Sequence, residues 1–390
     1  PMPIQTDTQI AIIGGGVCGL WLLNQLSREG YQTLLFEKDA LGSGQSLASQ
    51  GMIHGGIKYT LGGFTTPASE SIARMPEVWR QCISGGGPVD LSGVEILSEN
   101  YHMFSDGALT SKVTAFFGSK SLRGRINALD YKDYPKVFRD KAFRGNLYEL
   151  EDIVLNTQSL LQQLSEPYST AIYRDAPEVN TDNEGNITGI TLSTGETLTA
   201  EIYIFAAGAG NATLLKNAKA ANISMQRRPL HQVAAKGNLP SIYAHAVSIR
   251  SASKPRLTIT THHCLDGDNV WYLGGNLAEK GVGKSGEEQI EVARGEVKDL
   301  LPWIDIDNLS WTSFHIDRAE PAQENHSRPD FPFVHHSDNA LVCWPTKLTL
   351  TPMLAEQVSH AISITPNLSA PPKYNLPHAT VGISPWDDLF

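Results

Sequence analysis

Three glycines spaced Gly14-x-Gly16-x-x-Gly19 separate a short apolar run, Ile10 to Ile13, from Val17 to Arg28, where apolar residues recur at helical spacing. Glycine at the first position permits a tight turn. At the second it lets backbone N–H groups reach a pyrophosphate, and at the third it lets a helix pack closely on its strand. A second apolar run, Thr33 to Phe36, ends at Glu37, eighteen residues beyond Gly19. A carboxylate at that strand tip can accept hydrogen bonds from ribose hydroxyls. Strand, glycine turn, helix, strand and acid in this order predict a dinucleotide held at a helix N-terminus, whose amides favour phosphate charge. NAD and FAD both use this arrangement.

Two further stretches bring glycine beside a ligand. "QSLASQGMIHGGIKY", residues 45–59, is too glycine-rich for a helix and lacks the alternation of a half-buried strand. It carries one histidine, His54, among Gly51, Gly55 and Gly56. Residues 185–211 read as a hairpin (Ile187–Leu192, then 197–199) followed by a buried strand, Ile202–Ala206, that closes on "AAGAGN". A strand ending in such a turn places glycine backbone at the carboxyl edge of a sheet. The strand "LTITTHHC" holds His262 and His263, of which only one can face a ligand because neighbours alternate. A structural role is preferred for both.

These stretches together resemble the FAD-dependent D-amino acid oxidase superfamily, and within it glycerol-3-phosphate dehydrogenases and L-2-hydroxyglutarate oxidases above all. Four segments carry the likeness: the N-terminal fingerprint, "FAAGAGN", "IDRAEPAQENHSRPDFPFV" at 316–334, and "NALVCWPTKLTLTPMLAEQVSHAI" at 339–362. Arg318-Ala319-Glu320-Pro321 stands where the family often has Arg-Pro, and Leu348 replaces a family glycine. The resemblance implies FAD as cofactor, bound by Gly14, Gly16, Gly19, Glu37, Lys38, Ser46, Gln50, Gly51, Val179, Ala207, Gly208, Lys347, Leu348 and Thr349. It implies that residues 51–56 pass along the flavin, their glycines avoiding a clash with the ring. It places His54 near the reactive edge as a proton acceptor. It gives Arg318 the substrate's carboxylate or phosphate, a task suited to a bidentate guanidinium. The competing role for Arg318 is a structural salt bridge with Glu320 or Asp317. The turn of Lys347, Thr349 and Thr351 precedes the last long helix, whose N-terminal amides can stabilise charge on a reduced flavin.

The expected fold is α/β (α+β overall): a Rossmann-like FAD-binding domain with an inserted substrate domain on a mixed or antiparallel sheet. The FAD-binding domain is expected to be discontinuous (1–85, 150–225, 316–365), with 86–149 and 226–315 forming the substrate domain. In the second insertion "QVAAKGNL", "IYAHAVSI", "RLTITTHH" and "VWYLGG" read as consecutive antiparallel strands whose apolar face walls the flavin. Glu287 to Leu300 reads as an amphipathic helix ended by Pro302. The proline-rich stretch 366–390 is expected to be a surface-hugging or disordered tail.

Composition bounds the rest. A chain of 390 residues, 41% hydrophobic and 18% charged, suits a soluble globular protein of two domains. No run reaches the eighteen or so apolar residues of a membrane span. Ile10 to Leu23, interrupted by four glycines, is not read as a signal peptide. Four separated cysteines without a C-x-x-C pair argue against a disulfide framework or zinc site and fit the cytoplasm. The net charge of −10 makes nucleic acid an unfavoured partner. Residues 120–145, however, carry eight cations and three anions with Phe138 and Phe143 among them.

The leading expectation is an FAD-dependent oxidase or dehydrogenase that takes a hydride from a CH–OH or CH–NH carbon of a small anionic substrate: a hydroxy acid, amino acid or polyol phosphate. Its electrons would pass to oxygen, a quinone or a carrier protein. One alternative is oxidation of an aminoalkyl group on a modified nucleobase in RNA, with the basic segment tracking the backbone. Another is a non-catalytic flavin-binding protein.

Overall fold

The computed structural model describes residues 6–57, 67–105, 125–248 and 254–390. A six-stranded sheet and an eight-stranded sheet dominate it, with two three-stranded sheets between and beside them. The strand Thr8–Ile13 is wholly buried, and its neighbours Thr33–Glu37 and Ala200–Phe205 run parallel to it. Ile172–Arg174 and Ala340–Trp344 extend the parallel part, and Phe333–Ser337 closes one edge antiparallel. Such strands, covered on both faces, read as near-continuous apolar runs, as Ile10–Ile13 and Thr33–Phe36 do. The helix Val17–Arg28 buries its residues from Val17 to Leu26 between this sheet and the helices Thr157–Ser165 and Thr351–Ala361. The five parallel strands all present their carboxyl ends at one edge. The mixed α/β architecture expected from sequence is the one found.

The eight-stranded sheet runs in the order 310–321, 225–237, 269–274, 257–263, 244–247, 101–105, 147–150, 126–128. It is antiparallel except where 244–247 meets 101–105. The four strands expected from sequence do follow one another in the chain and pair antiparallel, but the first and second are not neighbours in the sheet. Met225–Gly237 pairs with Asn269–Gly274 and Ser310–Pro321, and only the last three form a meander. Sequence adjacency misled because a long strand can leave room for two later strands beside it. The strand Ser310–Pro321 runs through position 316, where a domain boundary was expected.

The apolar face of this sheet is also not the flavin wall. Val233, Ala235, Leu257, Ile259, Trp271 and Leu273 pack away from the first sheet, against Ala293, Val297 and Leu300 of the helix Gly286–Leu300. That helix begins with a capping box between Ser285 and Glu288. The opposite face carries Arg228, Gln232, Thr260, His262, Tyr272, Phe314 and Arg318, as strand alternation and the pairing register require. It is this polar and aromatic face that turns toward residues 48–50.

The C-terminal stretch docks along the surface. Val381 bridges to Leu41, His378 bridges to Tyr173, and Trp386 is buried. The Trp386 indole stacks on the His262 ring at 4.1 Å, and Leu265 N donates to Asp387 Oδ1 at 2.9 Å. Burial, helped by the neighbouring His263, pushes the His262 imidazole from its usual 6.5 down to about 3. The unfolded chain therefore takes up a proton near pH 6.5 that the folded protein refuses until near pH 3. Stability falls across that window as pH drops, with a limiting slope from this one group of about 1.4 kcal/mol per pH unit. His262→Phe keeps the ring stack and removes the proton. Urea midpoints measured between pH 6.5 and 4 should then fall less steeply than in the wild type, whereas parallel slopes would mean that His262 charges while folded.

Candidate active site

The glycine turn sits at the carboxyl edge of the parallel strands. Gly14 has φ +117°, and a Cβ there would lie 2.5 Å from the Ala206 carbonyl carbon and 2.7 Å from Ala207 Cα. A Cβ on Gly19 would lie 1.9 Å from the Gly14 oxygen. Gly16 differs: a Cβ there meets only Ser46 Oγ, at 3.1 Å, so the space beside it is open. As the N-cap, Gly16 supplies no side chain to the helix amides, and Val17 N donates instead to Ser46 Oγ at 3.0 Å. Glu37 ends the second strand, its carboxylate accepting from Gly15 N at 2.7 Å and Asp39 N at 2.9 Å. An uncapped helix N-terminus, open space beside Gly16 and an acid at the strand tip fit a dinucleotide.

Other residues named from sequence close this edge. Ala207 N donates to Asn211 Oδ1 at 2.9 Å, and the Gly208 carbonyl accepts from Trp344 Nε1 at 3.1 Å. Val179 lies on Glu178–Thr181, opposite Ile190, and packs on the cluster that contains Phe36 and Tyr173. Lys38 stands apart, exposed, with Asp39 at 3.6 Å.

Between the two sheets runs the His54 segment. Gln50 Nε2 donates to the Tyr272 carbonyl at 3.0 Å and to Thr260 Oγ1 at 3.3 Å, and the Tyr272 hydroxyl donates to the Ala48 carbonyl. His54 is buried, its N–H donating to Thr349 Oγ1 at 3.1 Å. Thr349 is fully buried, and its carbonyl accepts from Trp79 Nε1 at 3.0 Å. The glycines here serve the protein's own contacts as well. Gly51 has φ +71°, and its Cβ would lie 2.1 Å from the Leu155 carbonyl oxygen, while Gly55 faces Arg125 and Asp152. The sequence reading of these glycines as clearance for a flavin ring did not include such packed neighbours of Gly51 and Gly55.

The turn after Ala340–Trp344 contains strain. Lys347 N donates to the Pro345 carbonyl at 2.7 Å across Thr346, whose φ is +62°. This is the rare positive-φ γ-turn, at a β-branched residue where a positive φ is a true outlier. Leu348, standing in place of a family glycine, needs no such conformation: it is helical and half-buried. The Lys347 ammonium donates to the carbonyls of Pro329 (2.8 Å) and Asp330 (3.2 Å) and so ties down the preceding loop.

Arg318 pairs with neither expected carboxylate. Glu320 is gripped by Arg228 through both of its oxygens, and Asp317 by Arg227 at 3.2 Å. Arg318 is half-buried and donates through Nε to the Arg228 carbonyl at 3.1 Å. Burial first, then the nearby Arg228 and Arg328 charges, depress its guanidinium to about 10. Sequence reasoning missed Arg125, Asp152, Gln232 and Tyr272. Gln232 was visible as a polar residue in an apolar strand, but Asp152 carries no local signal. In the basic segment, Lys120 and Arg123 lie outside the described residues. Phe138 and Phe143 pack with Phe104, Tyr134 and Trp303 in the core, which removes them as stacking platforms for bases.

Glycine turn and strand-tip acid at the carboxyl edge of a parallel sheet define a dinucleotide-binding protein. A family model described as FAD dependent oxidoreductase matches residues 9–358, and the chain belongs to that family. It is 44% identical over 360 residues to the probable FAD-dependent oxidoreductase PA4991 of Pseudomonas aeruginosa, covering 92% of this chain and 91% of that protein. The crystal structure of PA4991 superposes with a TM-score of 0.84 at 37% identity, covering 99% of each chain. Glycine oxidase from Geobacillus kaustophilus has a TM-score of 0.65 at 15% identity, covering 95% of this chain and 100% of that one. L-alpha-glycerophosphate oxidase from Mycoplasma pneumoniae, solved with FAD bound, has a TM-score of 0.65 at 14% identity, covering 96% and 100%. Those last two share the fold. FAD is the cofactor, and no helix among the described residues is long and apolar enough to cross a membrane.

Gly16→Val provides a direct test of the cradle. Its branched side chain meets little protein, so the variant should fold, yet it fills the space a pyrophosphate needs. The expected outcome is soluble, colourless protein with a near-normal far-UV spectrum; a yellow variant with full flavin content would remove Gly16 from the site.

Proposed function

We propose that the protein oxidises a CH–OH or CH–NH carbon of a small anionic substrate, a hydroxy acid, amino acid or polyol phosphate. The observation that carries this reading is Arg318: a half-buried guanidinium without a carboxylate partner among the described residues, on the sheet face that Gln50 touches. The two acids near it are held by Arg228 and Lys254. An anion entering between the sheets would meet a charge already largely stripped of water, where a charge-assisted bond is strong. FAD, when bound, supplies the hydride acceptor, and the electrons leave it for oxygen, a quinone or a carrier protein.

In this reading Gly14, Gly16, Gly19, Ser46 and Glu37 hold the nucleotide half of the cofactor, with Ala207 and Gly208 beside them. Gln50, Gly51 and the Lys347–Thr349 turn flank its ring. His54 takes the proton from the substrate's hydroxyl or amine, and Arg318 orients the substrate so that its C–H faces the ring. The discontinuous division into 1–85, 150–225 and 316–365 against 86–149 and 226–315 is part of the same proposal, with its last boundary moved past Pro321, where the strand that crosses position 316 ends, and with 366–390 as a docked tail. So is a cytoplasmic location, supported by four free, buried cysteines.

Anaerobic addition of glycine, sarcosine, 2-hydroxyglutarate or glycerol 3-phosphate to the yellow protein tests the reaction by bleaching of the flavin band. His54→Ala should retain flavin and slow bleaching by roughly 10²–10⁴-fold. An unchanged rate would take the proton-acceptor role away from it. Arg318→Ala should weaken binding of an anionic competitor by roughly ten- to a hundredfold, read by flavin absorbance, with normal flavin content. Arg318→Lys should recover only part of that, since it keeps charge but loses the fork. Equal affinities in all three proteins would remove the main reason for expecting an anion.

A further inference from the structure

Gly55, the residue after His54, is held at both of its peptide groups by side chains from distant segments. Its N–H donates to Asp152 Oδ1 at 2.8 Å, and its carbonyl accepts from Arg125 Nη2. Asp152 is 2% exposed and Arg125 is half-buried. The N–H of His54 itself donates to Thr349 Oγ1 at 3.1 Å. Three backbone polar groups of the His54–Gly55 pair are therefore fixed from outside the segment, which has only the two-residue strand Met52–Ile53 to order it.

Burying a carboxylate and a guanidinium is costly unless both find partners. A backbone N–H and C=O could be satisfied by neutral groups at far lower cost. Here two ionic side chains are aimed at one glycine that has no side chain to intervene: a Cβ on Gly55 would stand 3.3 Å from Arg125 Nη2 and 3.7 Å from Asp152 Oδ1.

We propose that Asp152 and Arg125 are positioning residues: a clamp on Gly55 that sets the direction of the His54 imidazole toward the substrate carbon. The proposal rests on the reading of His54 as proton acceptor. Proton transfer tolerates little misplacement, so a loosened clamp should act on rate more than on binding of cofactor or substrate.

The test uses holoprotein labelled with ¹⁵N-histidine, with the His54 ring resonance identified by its loss in His54→Ala. Asp152→Asn removes the charge from the Gly55 contact, and Arg125→Lys replaces the fork with a point charge. Each should shift or broaden the His54 resonance beyond its line width while His245 and His262 stay in place. In the bleaching assay each should slow reduction by about ten- to a hundredfold with flavin content and half-saturating substrate concentration little changed. On the His54→Ala background the same substitutions should change the rate within about twofold, because both act through one side chain. If Asp152→Asn fails to fold, Arg125→Lys carries the same comparison. An unmoved His54 resonance, or an equal loss of rate on both backgrounds, overturns the clamp and leaves His54 its role. A moved resonance with His54→Ala as fast as wild type keeps the clamp and overturns the role.

Discussion

The first strand and the first helix touch through atoms that only glycine leaves bare. A methyl group on Gly19 would put its carbon 1.9 Å from the Gly14 carbonyl oxygen, closer than two non-bonded heavy atoms can approach. This contact seats the helix directly over the strand end, so that its free amides open toward one edge of the sheet. Gly14 at φ +117° then lets the strand end of Ala206 and Ala207 come equally close. Ser46 and Glu37 bond to backbone N–H groups of Val17 and Gly15 on this same turn. The glycine turn is thus one set of backbone approaches, and bulk at either crossing would displace all of its members together.

The second half of the site is organised differently. Residues 48–55 have almost no regular structure, and each buried backbone group must still find a partner. Side chains from one strand of the eight-stranded sheet and from two connections supply them: Tyr272 to the Ala48 carbonyl, Thr349 to the His54 N–H, Asp152 to the Gly55 N–H. Gln50 ties the segment to Thr260 on the far wall. An irregular chain held by long-range side-chain bonds can point a histidine where no helix or strand would, and it joins the two sheets at the same time.

That difference explains what the sequence revealed. The parallel sheet was legible because its strands are continuous apolar runs and its turn needs glycine at fixed spacing, both local signals. The helix expected over Glu287 to Leu300 was legible for the same reason, starting in the structure one residue earlier, at Gly286, behind a capping box that the reading did not single out. Strand order in the eight-stranded sheet was not, since Met225–Gly237 pairs with residues some forty and ninety positions away and nothing local encodes those partners. Which sheet face meets the His54 segment was likewise hidden. The apolar face looked like a wall, but it belongs to the helix behind it, and the face with Thr260, Tyr272 and Arg318 reads as ordinary alternation. Asp152 was invisible because its importance lies in a glycine nearly a hundred residues earlier.

The charges on that face do not follow from stability alone. Arg228 and Arg318 stand directly opposite each other on paired antiparallel strands, an arrangement that repels. The buried Glu320 relieves only one of them, taking Arg228 in a two-pronged pair with one side chain 16% and the other 1% exposed. The nearby Glu279 is paired with Lys254. Arg318 remains crowded by cations and partly dehydrated, which is why its proton is held less tightly than usual. In a chain whose net charge is −10, an acid could readily have been placed beside it. A carboxylate bonded to Arg318 itself would neutralise the strand pair. The two acids that reach it, Glu279 and Glu320, are each paired with another cation, so the Arg228–Arg318 strand pair keeps a surplus positive charge, and its partial burial makes that charge felt more strongly than in water.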